Sequence, residues 1–485
     1  MSTRAPRYDA VVVGSGPNGL TAAVVLARRG WRVLVLEANA QAGGGTRTAE
    51  LTRPGFRHDT CSAIHPLAAG SPVFAELGLE RYGLRWIHPP TPVAHPLDGN
   101  QAATLERDLE ATAAGLAVSG SAADARTYRA LMRPLARSWP ALAHEVLGPP
   151  LHRPHRPLLL ARFGLRSLPP AASLARRRFS GEPARALWAG LAAHSGLPLE
   201  SRLSSAAAAL LGAAGHAVGW PLAEGGSQRI ADALIAALRE HGGEVATGER
   251  VDDVSDLPRS RTVILDLTPR EVLRVAGARL PEGYRRRLQR YRYGPGAFKI
   301  DYALSAPIPW RSEACARAGT VHLGGTLEEV AASERAAAAG RAAEAPFVLL
   351  AQPSRFDPGR APAGKHVAWA YCHVPNGSTA DMTTRIEAQI ERFAPGFALT
   401  VLARSTMAAP ALEAYNANYV GGDIGGGTLD LRQWLARPAP RLDPYATPDP
   451  QLFLCSSATP PGGGVHGMAG YHAARSVLRR HGPGR

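Results

Sequence analysis

Residues 8–48 read YDAVVVGSGPNGLTAAVVLARRGWRVLVLEANAQAGGGTRT. The apolar, β-branched run Ala10–Val13 has the length of a buried strand and stops at Gly14, Gly16 and Gly19, in G-x-G-x-x-G spacing. Leu20, Ala23, Val24 and Ala27 recur at helical spacing and predict a helix over Leu20–Arg29, ended by Gly30. Trp31–Leu36 reads as a second buried strand, closing on Glu37. Strand, glycine turn, helix and strand together describe a dinucleotide cradle. Gly14 permits the tight turn, Gly16 keeps a Cβ away from a pyrophosphate, and Gly19 lets the helix lie close on the strand, with Pro17 and Asn18 between them. The free N–H groups and positive dipole end of the helix favour an anion there. Glu37, eighteen residues after Gly19, stands with Ala38 where an acid can bond ribose hydroxyls and repel a 2′-phosphate. The bland alternative is a glycine-rich turn that binds nothing.

A chain of 485 residues can bury a large core and should form two or more domains. Its net charge of +15 invites a nucleic-acid reading, but only two of its 55 basic residues are lysines, Lys299 and Lys365, which marks the excess as compositional. Zinc-finger spacing, RNP-like aromatics and a basic heptad region are all missing, so no nucleic-acid partner is expected. Cys61, Cys315, Cys372 and Cys455 form no C-x-x-C pair and suggest free thiols, with no metal site. Met1–Arg7 is polar, with no apolar signal region, and no long uninterrupted apolar run follows, so a cytoplasmic location is expected.

Leu51–Pro66 is a turn-rich connector in which His58, Asp59, Cys61 and His65 are either chemical groups or partners of loop backbone. From about Ser71 to Leu210 alanine- and leucine-rich helical periodicity predicts a helical insertion, as in Ala122–Leu147. Within it, Leu151–Gly190 carries eight arginines against the single acid Glu182. Such a mixture suits an anionic membrane surface, but Pro154, Pro157, Pro169 and Pro170 forbid one continuous amphipathic helix and favour a solvated hairpin.

Further on, Gln228–Glu240 predicts a helix, Glu244 begins a strand, and Arg261–Leu267 is a strand followed by a helix Pro269–Val275 capped by Thr268. Tyr293–Leu304 alternates Phe298, Ile300 and Tyr302 with Lys299, Asp301 and Ala303 on opposite faces of a strand. Val321–Leu323, Phe347–Gln352 and His366–Val374 add strands, and Ala380–Phe393 a crossover helix. Tyr415–Asp430 is glycine-rich but lacks the strand and helix of a second dinucleotide fingerprint. At the C-terminus a strand Leu452–Cys455, a turn Pro460–Gly464 and a helix His466–Arg479 place backbone N–H groups at a helix start.

Three of these stretches carry a resemblance. AGGGTRT, Ala42–Thr48, resembles the second motif of the flavoprotein superfamily that includes phytoene desaturases and flavin amine oxidases, where such glycines and an arginine hold the FAD pyrophosphate. The resemblance implies that Gly43, Gly44, Gly45, Thr46 and Arg47 contact FAD. In many members the arginine directly follows a glycine pair; here Gly45 stands in that place and Arg47 comes two residues later. The stretch from Gly219 to Val254 is similar to the middle FAD-binding segment, which implies a contact from Val251. The C-terminal turn resembles the segment facing the flavin pyrimidine edge, implying Gly463, Gly464, Val465 and Met468.

These matches occur in order over essentially the whole length, and the chain resembles the phytoene desaturase-like FAD-dependent oxidoreductases. The implied fold is an α/β FAD-binding domain of glutathione reductase type, Rossmann-like with a parallel sheet, built from residues 1–70, 215–292 and 440–485. An inserted α+β substrate domain would comprise residues 71–214 and 293–439. The implied reaction is removal of a hydride from a C–H or C–N bond of an apolar or amine-bearing small molecule, by a dehydrogenase, desaturase or oxidase. A redox-neutral isomerase or saturase and a non-catalytic flavin-binding scaffold remain alternatives. Lys299 is the expected catalytic side chain: the G-x-x-K-x-x-x-x-L pattern from Gly296 resembles the strand of flavin amine oxidases whose lysine reaches flavin N5 through a water. Its competing reading is an ordinary surface lysine.

Overall fold

A computed structural model describes residues 8–482; the polar stretch Met1–Arg7 lies outside the described residues. Five strands form one wholly parallel sheet in the order Leu452–Leu454, Ser260–Leu265, Tyr8–Val13, Val33–Glu37, Glu244–Thr247. The first strand is central, and Ala10, Val11 and Val12 are fully buried, which is why it reads as a continuous apolar run without alternation. Its register pairs Val13 with both Leu36 and Leu265, so three neighbouring strands end together.

The helix Pro17–Ala27 starts three residues earlier than the periodicity predicts, because Pro17 takes the first helical position, where its missing N–H costs nothing. It packs between Gln228–Glu240 and the last helix, Met468–His481. Contact with the last helix is backbone on backbone: a Cβ at Gly470 would collide with the carbonyl of Asn18.

The second sheet is mixed and seven-stranded, in the order Val401–Met407, Gly296–Leu304, His366–Val374, Val348–Ala351, Ala318–Leu323, Thr91–Pro96, Ala102–Leu105. Thr383–Phe393 is the crossover helix, joining two parallel strands that flank Gly296–Leu304. Two of the seven strands fall where only helices are expected. Thr91–Pro96 is buried at every residue, but Pro92 and Pro96 disguise it; it pairs in parallel with Ala318–Leu323, more than 200 residues away in sequence. The edge strand Val401–Met407 was also unexpected, being half-exposed along its length. Residues 48–50, just before the expected turn-rich connector, pair with residues 57–59 in its middle as a short antiparallel ribbon.

Across Leu151–Gly190 the prolines bound helices instead of interrupting one: Pro157 opens Pro157–Ser167 and Pro170 precedes Ala171–Arg178. Leu158 and Leu165 lie on the outer face of the first of these, each 75% exposed. Among the described residues no helix is long and apolar enough to cross a membrane.

The helix crossing at Gly470 gives a direct test. Gly470→Ala forces the last helix off the first and should lower stability by about 2 kcal/mol or more, as overpacking does. Gly283→Ala, in the helix Glu282–Gln289 with open space around its Cβ, should instead raise stability by roughly 0.5 kcal/mol. Thermal melts of the two variants beside the wild type read both; equal melting points would show that the helices separate freely.

Candidate functional site

Because the three strands end together, the residues that follow them meet at one edge of the parallel sheet, the edge where open α/β sheets bind ligands. Gly14, Glu37 and Asp266 all open onto a cavity of about 540 Å3, within the range of small-molecule and cofactor sites.

At one end stands Glu37, only 6% exposed. Its Oε2 accepts the N–H and hydroxyl of Ser15 at 3.0 and 2.5 Å, and its Oε1 accepts the N–H and side-chain amide of Asn39 at 2.9 and 2.8 Å. Burial would raise its pKa, but these four bonds outweigh burial and hold the carboxylate below its ordinary range. The Ser15 hydroxyl in turn accepts the Gly43 N–H at 3.1 Å, tying the second glycine cluster directly to the first.

The glycine turn follows the sequence reading with one addition. Gly14 has φ +101°, and a Cβ at Gly19 would collide with the Gly14 carbonyl. At Gly16 the crowding group is protein: a Cβ there would lie 2.6 Å from Oδ2 of Asp266. That same oxygen accepts the Gly19 N–H at 3.0 Å. Asp266 was not foreseen, although a strand-end position in a parallel sheet is a signal that could have found it.

Of the expected contact residues, Gly14, Gly16, Pro17, Asn18, Glu37, Ala38, Gly44, Gly45, Arg47, Val251, Gly463, Gly464 and Val465 line the cavity. Arg47 reaches it despite its shifted place, lying over the Tyr415 ring at 4.0 Å and donating to the carbonyls of Gly44 and Tyr415. Gly19, Gly43, Thr46 and Met468 stand behind the wall. Thr46 turns its hydroxyl back to the Gly43 carbonyl, and the Met468 N–H is taken by His466 Nδ1 at 3.1 Å. Thr268 occupies the cap position of its helix, but its hydroxyl bonds the Tyr293 hydroxyl and caps no N–H.

The other end of the cavity is a chamber walled by Leu211, Trp220, Leu349, Trp369 and Tyr371, with His194 and His373. His373 Nδ1 meets Glu334 Oε2 at 2.8 Å. Burial works against its protonation, yet Glu334 prevails and lifts its pKa above the usual imidazole range. His194 behaves oppositely: burial, then His373, push its pKa down to about 3, and it shares a 3.0 Å hydrogen bond with His322. None of these residues stood out in sequence, since Glu334 and His373 meet only through the fold.

The connector residues divide. Cys61 and His65 line the cavity, both desolvated: burial raises the thiol pKa and lowers the imidazole pKa to about 4. His58 and Asp59 lie off the cavity wall: His58 bonds the Thr52 hydroxyl at 2.8 Å and faces Asp301 at 3.6 Å. Asp59 binds Arg360 at 2.7 Å and accepts from Ser227 and Thr48, and these partners outweigh burial to keep its pKa low.

Lys299 is neither a surface lysine nor a wall residue. It is 2% exposed, and its ammonium donates to Asp301, its neighbour on the same strand face. Its ammonium lies 5.8 Å from the ring centroid of the cavity-lining Trp369. Burial raises the Asp301 pKa to about 6 even with Lys299 pulling it down.

A model of the NAD(P)-binding Rossmann-like domain matches residues 12–77. Along nearly the full length, the chain is 28% identical to pyridine nucleotide-disulfide oxidoreductase domain-containing protein 2 of Rattus norvegicus, over 98% of this chain and 94% of that protein. Two solved structures share the fold. An oxidoreductase from Methanosarcina mazei superposes with a TM-score of 0.65 at 14% identity, covering 97% of this chain and 99% of that one. Cyclohexylamine oxidase from Brevibacterium oxydans IH-35A gives 0.58 at 15% identity, covering 98% of each chain. The parallel sheet with its glycine turn is thus a Rossmann-like nucleotide-binding fold.

Lys299→Met should strand the Asp301 carboxyl in a buried site and cost about 3 kcal/mol in chemical denaturation, the lower end for breaking a buried pair. Lys299→Met combined with Asp301→Leu should recover at least half of that loss. Unchanged stability in the single variant would mean that the pair contributes nothing to the fold.

Proposed function

We propose that this chain is an FAD-dependent oxidoreductase of the phytoene desaturase-like type that removes a hydride from a C–H or C–N bond of an apolar or amine-bearing small molecule. In this reading residues 1–70, 215–292 and 440–485 form a glutathione reductase-type FAD-binding domain, and residues 71–214 and 293–439 the inserted substrate domain. The observation that carries it is the single cavity that runs from the buried Glu37 carboxylate, past the glycine turn and the Gly463–Gly464 turn, into the chamber of Trp220, Trp369 and Tyr371. One cavity thus combines a carboxylate for ribose, backbone N–H groups for phosphate, and an apolar room for substrate.

Bound FAD would supply the hydride acceptor. The protein does the rest. Ser15 and Asn39 hold Glu37 ionised, and their hydroxyl and side-chain amide can turn aside to let ribose hydroxyls take their places. Arg47 is fixed over Tyr415 beside the glycine turn as a positive charge near phosphate. Aromatic walls keep water from the reacting carbon. His373 has Nδ1 committed to Glu334, leaving Nε2 for a substrate that must shed a proton from N–H or O–H. Lys299 acts in this scheme from behind Trp369, as a buried partner of Asp301.

The purified protein should be yellow and should release FAD, not FMN, on denaturation. Glu37→Ala should weaken FAD retention by about 1.5–3 kcal/mol, roughly ten- to a hundredfold, through loss of charge-assisted bonds to ribose. Equilibrium dialysis against FAD measures it; a colourless protein that takes up no added FAD would overturn the reading. An anaerobic screen of amines and apolar metabolites for bleaching of the flavin absorbance then identifies the substrate.

A further inference from the structure

The phosphate end of the cradle contains a group that a polyanion site should not tolerate. Asp266 follows the strand Ser260–Leu265, is 6% exposed, and lines the cavity beside Gly14, Gly16, Pro17 and Asn18. Its Oδ2 holds the Gly19 N–H at 3.0 Å and would touch a Cβ on Gly16, so the carboxyl occupies the anion-binding mouth of the helix Pro17–Ala27.

No cation compensates it. Among the described residues Asp266 forms no ion pair. Its charged and titratable surroundings are Glu37 at the end of the next strand but one, across Tyr8–Val13, Cys455 beyond the strand Leu452–Leu454, Glu271 and Arg274 on the helix Pro269–Ala276, Arg250 ahead of that helix, and Arg47, Tyr415 and Tyr419 from the loops. Arg274 is spent on Glu271 and Asp252, both at 2.8 Å, and Arg47 on the carbonyls of Gly44 and Tyr415. Burial, with the negative charge of Glu37 added, raises the Asp266 pKa to about 7 against the hydrogen bonds from Gly19 and Gly16. A pyrophosphate brings two further negative charges into this same poorly solvated turn, and like charges at close range in low dielectric cannot all persist.

We propose that Asp266 is a constituent of the phosphate site and enters the complex as the neutral acid, so that the dinucleotide binds together with one proton taken from solvent. The protonated carboxyl donates its O–H to a phosphate oxygen while its carbonyl oxygen keeps the Gly19 N–H. The inference rests on the FAD reading above and adds to it a pH dependence of cofactor affinity set by one residue. Its sign is fixed. Free Asp266 loses its proton as pH rises through about 7, the complex retains it, and affinity falls with rising pH.

The test uses the full chain stripped of FAD and titrated with FAD between about pH 6 and about pH 9, read by quenching of flavin fluorescence, beside Asp266→Asn. The wild-type Kd should be flat at the acid end and rise by roughly tenfold per pH unit above about pH 8, the slope of one bound proton. Asp266→Asn, which keeps the shape without the charge, should show a flat profile and bind roughly tenfold or more tightly than wild type at about pH 9. Calorimetry of the wild type at about pH 8 in two buffers of different ionisation heat should count close to one proton taken up per FAD, and this decides the matter even if the variant fails to fold. A flat wild-type profile without proton uptake, or an unchanged slope in Asp266→Asn, overturns the inference while FAD remains the cofactor. A folded wild type that binds no FAD at any pH overturns the cofactor reading itself, and this inference with it.

Discussion

Because Tyr8–Val13, Val33–Glu37 and Ser260–Leu265 run in one direction and stop in register, three chemically different residues face one cavity within a few ångströms of sheet edge. Gly14 supplies room, Glu37 a fixed anion, and Asp266 an acid poised near neutrality. A slip of one residue in either pairing would turn a strand over and point its last side chain into the core. What resists that slip is the polar end of each strand, since Glu37 or Asp266 would be carried into apolar surroundings without its partners. The site is therefore tied to the register of the sheet.

Beneath the cavity the chain uses buried ion pairs where a loop-rich connector could not be held by apolar packing alone. Arg360, fully buried, joins Asp59 and the Arg57 carbonyl, while Asp59 also takes Ser227 and Thr48. Arg437, also buried, donates to the carbonyls of Gly426, Ser457 and Ala458 and to the Tyr291 hydroxyl. Each of these guanidiniums fastens segments distant in sequence, and its planar fork of donors suits it to several carbonyls at once. The arginine-rich composition thus has a structural use at these positions, while pairs such as Arg129–Glu110, Arg176–Glu328 and Arg286–Glu282 are exposed and worth little individually.

The cradle was legible in sequence because its constraints are local: a glycine needed for a turn, or an acid a fixed distance after it, leaves a mark within forty residues. The five parallel strands were legible too, four of them as short apolar runs bounded by turns. Thr91–Pro96 was hidden, since its prolines speak against a strand and its partner lies beyond an entire helical insertion. The His373–Glu334 contact was hidden for the same reason, as the two residues sit on a strand and a helix brought together only by folding. Lys299 is more instructive. A motif resemblance singled it out as a catalytic side chain, and its burial against Asp301 was not part of that expectation, although the alternation that put Lys299 and Asp301 on one strand face already contained their pairing.

The order of strands in the parallel sheet carries a consequence for how the molecule is made. The central strand precedes the other four in sequence, but one neighbour ends at Leu265 and the sheet is closed only by Leu452–Leu454, with the last helix laid across Asn18 after that. Contacts of such sequence separation form slowly, and the apolar face of the first strand has to wait for them. The amino-terminal third of the chain is accordingly the part most in need of protection during synthesis. The carboxyl terminus acts as the clasp that finishes the nucleotide site, so that a truncated chain would lose the cradle even with every one of its glycines in place.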